Sequence, residues 1–536
     1  MQQEASSRVS PKAFSTHPTW FWLGLTGVFI GAAIFRFWGL ARFNELVYDE
    51  FHFAKFANYY LTGTPFFDGH PPLGKYLIAL GIWLSQFNPF DYATQTTVAE
   101  FNFDLPTVGY RWMNALVGSC IPVWVAILAY QLSRRYRFAL VAGFLTSLDG
   151  LLLVESRYAL INVYLLTFGL LAQICFLVAL ARPKPNQRNR WLLAAGIGFG
   201  AAMSVKWTGL GFLLGLYILW GMVQWANGRS RPSSPPDSLD SPSVTTQAAS
   251  GSLSDIKPVN VSSDPAIDSA SSPALEGVIT SSVLVSYPLR QLRRLHWRDL
   301  LFYLGFVPGF FYSLVWLPHI HQDPRHSLLG YQKQLYTWHT AISGQAHRYC
   351  APWYTWPWLG RSRPYYIEQI DGVTEPGNAS SIAYHYVSGM GNPFLWWQSA
   401  IAIILLTGVA VWTLPKIFAR ETSQAQSHTF NALSWTAGGT ALYILLSYLA
   451  NWLPWAAISR CSIIYHYMPA SLFSFLALAW VLDRGLDSKE AWKQAIAGLS
   501  ICLIVFGFWF WLPFFLGLPV TPEGLEARVW FKSWSW

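Results

Sequence analysis

The stretch VYDEFHFAKFANYYLTGTPFFDGHPPLGKY, residues 47–76, follows an apolar run that is long enough to cross a bilayer. The chain as a whole avoids charge, with 12% charged and 53% hydrophobic residues, whereas soluble domains carry about 25% charged residues. This contrast predicts a membrane protein that gathers its chemistry just outside its first span. The ionisable residues of the stretch are Asp49, Glu50, His52, Lys55, Asp68, His70 and Lys75.

Apolar runs of roughly 20 residues, the length that crosses a bilayer as a helix, recur along the whole chain. We predict an all-α integral membrane protein with about 11 transmembrane helices and with interfacial helices in two long external loops. The fifth run is short and contains several glycines. The predicted spans are 20–40, 112–133, 138–156, 159–181, 191–206, 208–226, 299–318, 394–414, 431–450, 462–482 and 494–513.

Basic segments between the spans set the predicted orientation. Lys and Arg concentrate in 134–137, 182–190 and 290–298, and cytoplasmic loops carry such an excess. All of these segments fall on the cytoplasmic side if the N-terminus is cytoplasmic. The first run exceeds the apolar core of a signal peptide and has no A-x-A cleavage site after it, so we expect a retained span.

The hydrophilic stretches divide the chain into three predicted parts. Residues 1–226 form an N-terminal membrane module whose long external loop, 41–111, is predicted to be functional. Residues 291–536 form a C-terminal membrane module with a second external loop, 319–393. Both loops are rich in aromatic residues and are expected to fold against each other. Between the modules, the Ser- and Pro-rich segment 227–290 is predicted to be a disordered cytoplasmic linker.

Charge and cysteine content exclude several other classes of protein. The net charge of +9 comes mainly from short basic runs between apolar segments, which is not the pattern of a nucleic-acid-binding surface. The five cysteines form no C-x-x-C pair, so neither a zinc knuckle nor a thiol redox motif is expected. Cys350 and Cys461 can both lie outside the membrane, which leaves a disulfide between them open.

Metal binding is not expected from the sequence. No D-x-D pair occurs, which argues against an enzyme that grips a nucleotide-sugar diphosphate through a metal ion. Asp49, Glu50, His52 and His70 are chemically able to bind a divalent ion, but their spacing matches no dedicated metal motif. We therefore predict no cofactor.

The adjacent acids Asp49 and Glu50 begin a predicted interfacial helix over 49–61. At helical spacing, neighbouring side chains point in different directions, so the two carboxylates can have different roles. The alternative is a pair of helix N-terminal carboxylates that are favoured only by the helix dipole. Arg36, at membrane depth just before the pair, favours a functional site.

The segment GHPPLGKY, residues 69–76, nearly matches a phosphate-binding P-loop. It departs from that motif because Tyr76 stands where Ser or Thr would hold magnesium, and because Pro71 and Pro72 lack the N–H groups that cradle phosphate. We predict a rigid turn that places His70 and Lys75 near the membrane surface.

Basic residues recur at the predicted outer ends of the spans. Each one alone is explained by a side chain that snorkels to the interface. Together they can converge on one anion, and a lipid-linked phosphate is the natural anion at that depth. The predicted ligands of this phosphate are Arg36, Arg111, Arg157, Lys206 and Arg460.

The sequence segments described so far resemble those of a known family. The first loop is similar to the signature of the protein O-mannosyltransferases, the dolichyl-phosphate-mannose–protein mannosyltransferases: Asp-Glu, a His two positions on, and later Asp-x-His-Pro-Pro. The likeness covers nearly the whole chain. It continues in YRWMNALVG (110–118), LDGLLLVESRYALINVYLL (148–166), MSVKWTGL (203–210), WPWLGRSRPYY (356–366), GNPFLWW (391–397) and SRCSIIYHYMPA (459–470).

The resemblance implies a GT-C glycosyltransferase fold and transfer of mannose from a polyprenyl monophosphate to Ser or Thr of proteins, with inversion of the sugar carbon. It implies that Asp49 is the catalytic base and that Glu50 supports it, with Arg111 as a candidate partner. His52, His70 and Lys75 are supporting residues. Asn162 stands where relatives often have Asp, and no role is assigned to it.

The resemblance also implies partners and a location. The partners are the lipid-linked mannose, membrane lipids, and secreted or translocating acceptor proteins. The loop after span seven lacks the MIR-type β-trefoil insert, as in shorter bacterial members. We therefore expect a multi-pass protein of a bacterial plasma membrane with an extracytoplasmic active site.

Two rival functions remain open. Another GT-C enzyme could use the same lipid donor with a lipid or glycan acceptor, and only the first-loop signature favours a protein acceptor. A transporter or flippase would place ionisable residues near the middle of the bilayer and would show internal repeats. Here the ionisable groups gather at one surface, with Asp149 as an exception whose role is open.

Overall fold

The computed structural model describes residues 18–87, 105–229, 292–293, 295–341, 348–373, 381–418 and 428–535. The protein is predominantly helical. Of the predicted linker 227–290, only the backbone of 227–229 belongs to the described residues. The helices are α1 (Thr19–Phe37), α2 (Glu50–Thr62), α3 (Leu73–Ser85), α4 (Thr107–Ser133), α5 (Tyr136–Ser147), α6 (Gly150–Arg157), α7 (Asn162–Leu180), α8 (Pro185–Val205), α9 (Leu210–Arg229), α10 (Trp297–Gln322), α11 (Leu328–Ala341), α12 (Pro393–Phe418), α13 (His428–Trp452), α14 (Met468–Leu486), α15 (Ala491–Leu516) and α16 (Pro522–Glu526).

Within these residues, eight helical segments are long and apolar enough to span a membrane, and one bent pair makes a ninth. They match nine of the predicted spans. Helices α8 and α13 occupy the positions of the fifth and ninth predicted spans without meeting the same test, so the number 11 stays a prediction. The nine are α1, α4, α5 with α6, α7, Trp207–Trp225, α10, Pro393–Thr413, Ile464–Leu486 and α15.

The third predicted span is broken. Helices α5 and α6 meet at an angle of 62°, and Asp149 lies at the break. Its carboxylate accepts a hydrogen bond from the Leu152 backbone N–H (2.8 Å) and another from the Trp396 indole (2.6 Å). Asp149 therefore caps α6 and ties the break to α12, which gives this buried acid a structural role.

A small antiparallel sheet, which is not among the predicted elements, packs at one end of the bundle. Its strands are β1 (Arg363–Val373), β2 (Ser381–Gly389) and β3 (Pro519–Val520), in the order β1-β2-β3. In the register, Ile367 pairs with Tyr386, and Tyr384 pairs with Val520. The sheet joins the second loop to the segment that follows α15.

The two predicted external loops pack against each other, as expected. The Gln322 amide donates hydrogen bonds to the carbonyl oxygens of Tyr59 (2.8 Å) and Thr64 (2.7 Å). At Gly69 an added Cβ would lie 2.3 Å from the Trp338 ring. Only glycine allows α11 to approach the first loop this closely.

A disulfide joins Cys350 to Cys461 across 111 residues of sequence. The backbone N–H of Ala351 also donates a hydrogen bond to the carbonyl of Ser462 (2.8 Å). The second loop is thereby attached to the segment that precedes α14, and the bridge that the sequence left open is present.

The opposite end of the bundle carries an ion-pair cluster. Arg135 and Arg137 bind Asp483 and Asp487 at 2.7–2.8 Å. Helix α4 runs 27 residues between the two ends, or about 40 Å at 1.5 Å per residue. The bundle therefore has one end built from loops and sheet and another closed by short basic turns.

Candidate active site

Asp49 is the N-cap residue of α2, at the sheet end of the bundle. The preceding residue, Tyr48, has a φ of 56°, in the left-handed region. A non-glycine residue rarely adopts this conformation, and it persists only where neighbouring contacts hold it. Asp49 is half-buried, and no hydrogen bond from a described residue reaches its carboxylate. The carboxylate is therefore available to a substrate.

Charged groups surround Asp49. Burial raises its pKa above the ordinary aspartate value, and the positive charges of Lys206, His52 and Arg363 oppose that rise. The negative charge of Asp68 also raises the pKa of Asp49. A carboxylate whose pKa is raised above the ordinary value is a stronger base than a free aspartate, so it is better suited to accept a proton.

Glu50 has the opposite environment. It is fully buried, and its oxygens accept hydrogen bonds from Arg111 (2.7 and 2.9 Å), from the Val47 N–H (2.8 Å) and from the Ala159 N–H (2.7 Å). The predicted pairing of Glu50 with Arg111 is present. Because both oxygens are taken, the geometry favours a structural role for Glu50.

Arg111 is not positioned to bind a phosphate. Its guanidinium donates to Glu50 and to the carbonyl oxygens of Leu40 (3.1 Å), Phe43 (2.8 Å) and Glu45 (2.8 Å). All three guanidinium nitrogens are thus engaged, and Arg111 locks the chain between α1 and α2.

Arg157 and Arg36 are both buried within the bundle. Arg157 donates to the carbonyl oxygens of Phe35 (2.7 Å), Trp38 (2.7 Å) and Gly39 (3.0 Å), so it caps the C-terminus of α1. Arg36 is fully buried and donates to the Ala32 carbonyl at 3.1 Å. The Nε and one Nη of Arg36 have no hydrogen-bond partner among the described residues, but Arg36, Arg111 and Arg157 are all absent from the wall of the cavity that holds the other predicted cations. The expectation that these three arginines converge on one anion with Lys206 and Arg460 is therefore not supported.

A cavity of about 850 Å³ brings together the remaining predicted cations. Lys206 and Arg460 both line it, and His70, His339 and His466 line it as well. These groups interact electrostatically with one another, so they form one polar cluster. Neither Lys206 nor Arg460 donates a side-chain hydrogen bond to another described residue.

The rest of the cavity wall is largely apolar. Three wall residues, Leu210, Leu214 and Ile458, are 48%, 41% and 44% exposed. Leu210 and Leu214 belong to the segment Trp207–Trp225, which is long and apolar enough to span a membrane, so the apolar wall continues from the polar cluster along a span. Further wall residues are Leu213, Tyr217 and Pro454.

Lys206 reaches the cavity because α8 ends there. The backbone of Lys206 is extended, and the short turn Trp207–Gly209 follows it. At Gly209 an added Cβ would lie 2.6–2.8 Å from the Ala202 and Met203 backbone, so only glycine permits this tight reversal. The Lys206 ammonium lies 4.9 Å from the Tyr465 ring centroid and interacts with Asp49. Lys206 thus connects the cavity to Asp49.

The P-loop-like segment forms a clamped turn, not a phosphate cradle. The Lys75 ammonium is buried. It donates to Asp68 and to the carbonyl oxygens of His70 (2.8 Å) and Pro71 (3.2 Å). Lys75 therefore supports the turn that presents His70, and it is itself absent from the cavity wall.

The two predicted histidines differ in environment. Burial holds the pKa of His70 well below its ordinary value, and the charges of Lys206 and Lys75 add to that effect. The surroundings of His70 therefore favour its neutral imidazole over the charged form. His52 is exposed, and its backbone N–H donates a hydrogen bond to the Asp49 carbonyl (3.0 Å).

Several residues at the site were missed in the sequence. The Glu155 carboxylate accepts hydrogen bonds from Asn162 (2.9 Å) and from the Tyr365 hydroxyl, and it interacts with Lys206 and Asp49. His339 and His466 line the cavity. Four of these five residues lie in motifs quoted above, so the motifs marked the site even though no role followed from them.

The described residues contain no group of three or more His, Cys, Asp or Glu side chains that could hold a metal ion. The chemistry available here consists of one half-buried carboxylate, two cations and three imidazoles beside an apolar cavity.

Two family models match the chain. The model of the dolichyl-phosphate-mannose–protein mannosyltransferases matches residues 28–233, and the model of the C-terminal four-transmembrane region of protein O-mannosyltransferases matches residues 325–534. This chain belongs to the protein O-mannosyltransferase family. It is therefore a glycosyltransferase.

Relatives of this protein O-mannosyltransferase come from bacteria and eukaryotes. The polyprenol-phosphate-mannose–protein mannosyltransferase of Mycolicibacterium smegmatis (strain MKD8) is 23% identical over 94% of this chain and 91% of the relative. The dolichyl-phosphate-mannose–protein mannosyltransferase 6 of Saccharomyces cerevisiae is 33% identical over 34% of this chain and 24% of its own length.

A solved structure supports the fold. The S. cerevisiae protein O-mannosyltransferase Pmt1–Pmt2 complex bound to the sugar donor has a chain that aligns with a TM-score of 0.68 at 16% identity, covering 98% of this chain and 93% of that one. The predicted GT-C glycosyltransferase fold is thereby confirmed.

Proposed function

We propose that this enzyme transfers mannose from a polyprenyl monophosphate carrier to Ser or Thr hydroxyls of proteins, with inversion at the sugar carbon and with Asp49 as the general base. The observation that carries the proposal is the position of Lys206, which lines the cavity and interacts with Asp49. A phosphate held at Lys206 lies on the same side of the site as the base. The names of the relatives support mannose as the sugar.

The cavity suits a lipid-linked phosphate. Lys206 and Arg460 offer cationic donors that no described residue engages in hydrogen bonds, and such groups bind phosphate strongly. The apolar wall of Leu210, Leu214 and Ile458 suits the isoprenoid chain, because Leu210 and Leu214 belong to the membrane-spanning segment Trp207–Trp225. A donor in this pose keeps its lipid in the membrane and its sugar at the site.

One base is sufficient for this chemistry. Asp49 takes the proton of the Ser or Thr hydroxyl as its oxygen attacks the sugar carbon, and the bond from that carbon to the phosphate oxygen breaks. The polyprenyl phosphate leaves with the bonding electrons. Lys206 and Arg460 stabilise the negative charge that develops on it.

We propose that transfer needs no metal ion. In nucleotide-sugar enzymes a metal neutralises the leaving diphosphate, whereas here two protein cations face a monophosphate. Transfer by the purified enzyme should therefore continue at an unchanged rate in excess EDTA.

We further propose that the site faces the extracytoplasmic side of a bacterial plasma membrane, where secreted or translocating proteins present their hydroxyls. The basic segments at the opposite end of the bundle support this orientation.

The test uses the purified full chain in detergent with radiolabelled polyprenyl-phosphate-mannose and a Ser/Thr-rich peptide. The Asp49→Asn variant should lose transfer by at least 10²-fold, since a general base contributes typically 10²–10⁴-fold, and it should still bind the donor. Asp487→Asn is the matched control, because Asp487 lies at the opposite end and should retain full activity.

Two outcomes would overturn the proposal. Full activity of Asp49→Asn would exclude Asp49 as the base. Label that accumulates in lipid or glycan while the peptide stays unlabelled would point to another GT-C transferase.

A further inference from the structure

Tyr365 of β1 enters the site from the second loop. Its ring is buried and stacks on the Tyr48 ring, with centroids 4.3 Å apart and planes at 26°. Tyr48 is the residue in the left-handed conformation directly before Asp49. The hydroxyl of Tyr365 donates a hydrogen bond to the Glu155 carboxylate. One side chain therefore touches both the neighbour of the base and the acid that faces Lys206.

The local backbone is adapted to this placement. The β1–β2 register shifts between Pro364 and Tyr366, so Tyr365 is the extra residue of a β-bulge. Bulges re-aim side chains and are frequent next to active sites. Across the ladder, a Cβ added at Gly389 would lie 2.2 Å from the Tyr365 ring, so glycine provides the space that the ring occupies.

Glu155 relays the contact toward the cavity. It is buried, and its other oxygen accepts a hydrogen bond from Asn162 (2.9 Å). It interacts electrostatically with Lys206 and Asp49. With both oxygens held, the carboxylate attracts the Lys206 ammonium from a fixed place and leaves it free to bind an anion.

We propose that Tyr365 is a positioning residue with two separable effects: its hydroxyl holds Glu155 so that Lys206 faces the donor phosphate, and its ring holds Tyr48 so that Asp49 faces the acceptor. This inference rests on the proposed function, because it assigns Lys206 to the donor and Asp49 to proton transfer. It adds a residue from the C-terminal half to a site whose charged groups come mainly from the N-terminal half.

The two effects predict different kinetics. Tyr365→Phe keeps the ring and removes one oxygen, so the donor KM should rise about tenfold, the scale of one hydrogen bond to a charged group, with kcat nearly unchanged. Tyr365→Leu removes the stacking as well, so kcat should also fall, by about 10²-fold, because misplacement of a catalytic group by about 1 Å costs that much.

The experiment measures kcat and donor KM for the full chain in detergent, with polyprenyl-phosphate-mannose and a Ser/Thr-rich peptide. Tyr366→Phe and Tyr366→Leu are the matched controls. Tyr366 is the next residue of the same strand and hydrogen-bonds Glu45 and Glu368 instead, so its variants should leave both constants within about twofold.

The inference is overturned if the Tyr365 variants behave like the Tyr366 variants, or if Phe and Leu lower kcat equally without a change in donor KM. If the Leu variant does not fold, the KM shift in Tyr365→Phe decides, because that variant keeps the packing. An inactive wild-type enzyme would contradict the proposed function, whereas an active wild type with unaffected variants would contradict this inference alone.

Discussion

At the scale of single residues, Asp49 and Glu50 are neighbours in sequence with opposite surroundings. Asp49 is the N-cap and has a carboxylate without a hydrogen bond from any described residue, whereas Glu50 is fully buried and accepts hydrogen bonds on both oxygens. The helical spacing of the sequence separates the two directions. Only the folded structure shows that one direction leads to the site and the other to Arg111.

The first prediction concerns the pH dependence of Asp49. The proposed base, Asp49, can accept a proton only when it is ionised, so we expect kcat/KM to be lost as the pH falls through its pKa. Lys206, His52 and Arg363 lower this pKa, while burial and Asp68 raise it. Arg363→Gln removes one lowering charge. The acidic limb of the kcat/KM profile should therefore move to higher pH, by about 0.5–1 unit.

Arg361→Gln is the control for that profile. Arg361 lies two residues away and donates to the Arg348 carbonyl, and it is not among the main charges that act on Asp49. An acidic limb that stays in place in Arg363→Gln, or that moves equally in both variants, would contradict the assignment of Asp49 as the titrating base.

The second prediction concerns the stability that Glu50 provides. Glu50→Gln leaves the Arg111 charge buried without its partner, and breaking a buried pair in this way costs about 3–5 kcal/mol. The midpoint of thermal unfolding, followed by tryptophan fluorescence in detergent, should fall markedly. Glu523→Gln changes an exposed carboxylate of α16 and should leave the midpoint within a degree or two. Equal midpoints for the two variants would argue against a structural role for Glu50.

The predicted basic residues divide by what surrounds them. Lys206 and Arg460 line the cavity. Arg111 and Arg157 instead donate hydrogen bonds to backbone carbonyls of residues 35–45. Sequence position at the end of a span is the same in both cases. The two groups differ in whether backbone carbonyl oxygens from another part of the chain lie within hydrogen-bond distance of the cationic side chain. No sequence pattern predicts that.

At the scale of elements, the sheet and the disulfide organise the second loop. Strands β1 and β2 lie in the predicted aromatic-rich loop, because apolar runs and helical spacing do not reveal a short, half-exposed hairpin. The helix α2 was predicted within one residue, because its pattern of buried Glu50, Ala54 and Ala57 follows helical spacing.

The third prediction concerns the disulfide. Cys461 is adjacent to Arg460, so the bridge to Cys350 fixes the segment that brings Arg460 to the cavity. Replacing both cysteines with Ser should raise the donor KM several-fold, roughly threefold to tenfold, because a cation that must be ordered on binding contributes less affinity. Reduction of the wild-type enzyme with dithiothreitol should have the same effect.

Cys502→Ser is the control, because Cys502 is a free cysteine on α15 and its loss should leave the donor KM unchanged. An unchanged KM in the double variant would show that Arg460 is held in place without the bridge.

At the scale of the whole molecule, apolar length predicted most of the fold. Nine of the predicted spans coincide with helices that are long and apolar enough to cross a membrane, since hydropathy reports directly on burial in lipid. The break between α5 and α6 was not predicted, because Asp149 and Gly150 interrupt a run whose average apolarity stays high.

The fourth prediction concerns orientation. The sheet end carries Asp49, and the end with Arg135 and Asp483 lies about 40 Å away along α4. A cysteine introduced as Ser535→Cys, beside the sheet, should react with a membrane-impermeant maleimide in intact cells. Lys489→Cys, in the turn after α14, should react only after the membrane is permeabilised.

The wild-type chain supplies the background from native cysteines in that labelling. Reaction of Lys489→Cys in intact cells, with Ser535→Cys protected, would place Asp49 in the cytoplasm and would contradict the proposed acceptor class.

The third strand of the sheet has a consequence for biogenesis. Strand β3 pairs with β2, yet it follows the last long helix, α15, in the chain. During synthesis on a ribosome, the outer edge of β2 therefore stays unpaired until α15 and then β3 have been made. The sheet that carries Tyr365 is therefore completed late, after the nascent chain has already displayed Asp49.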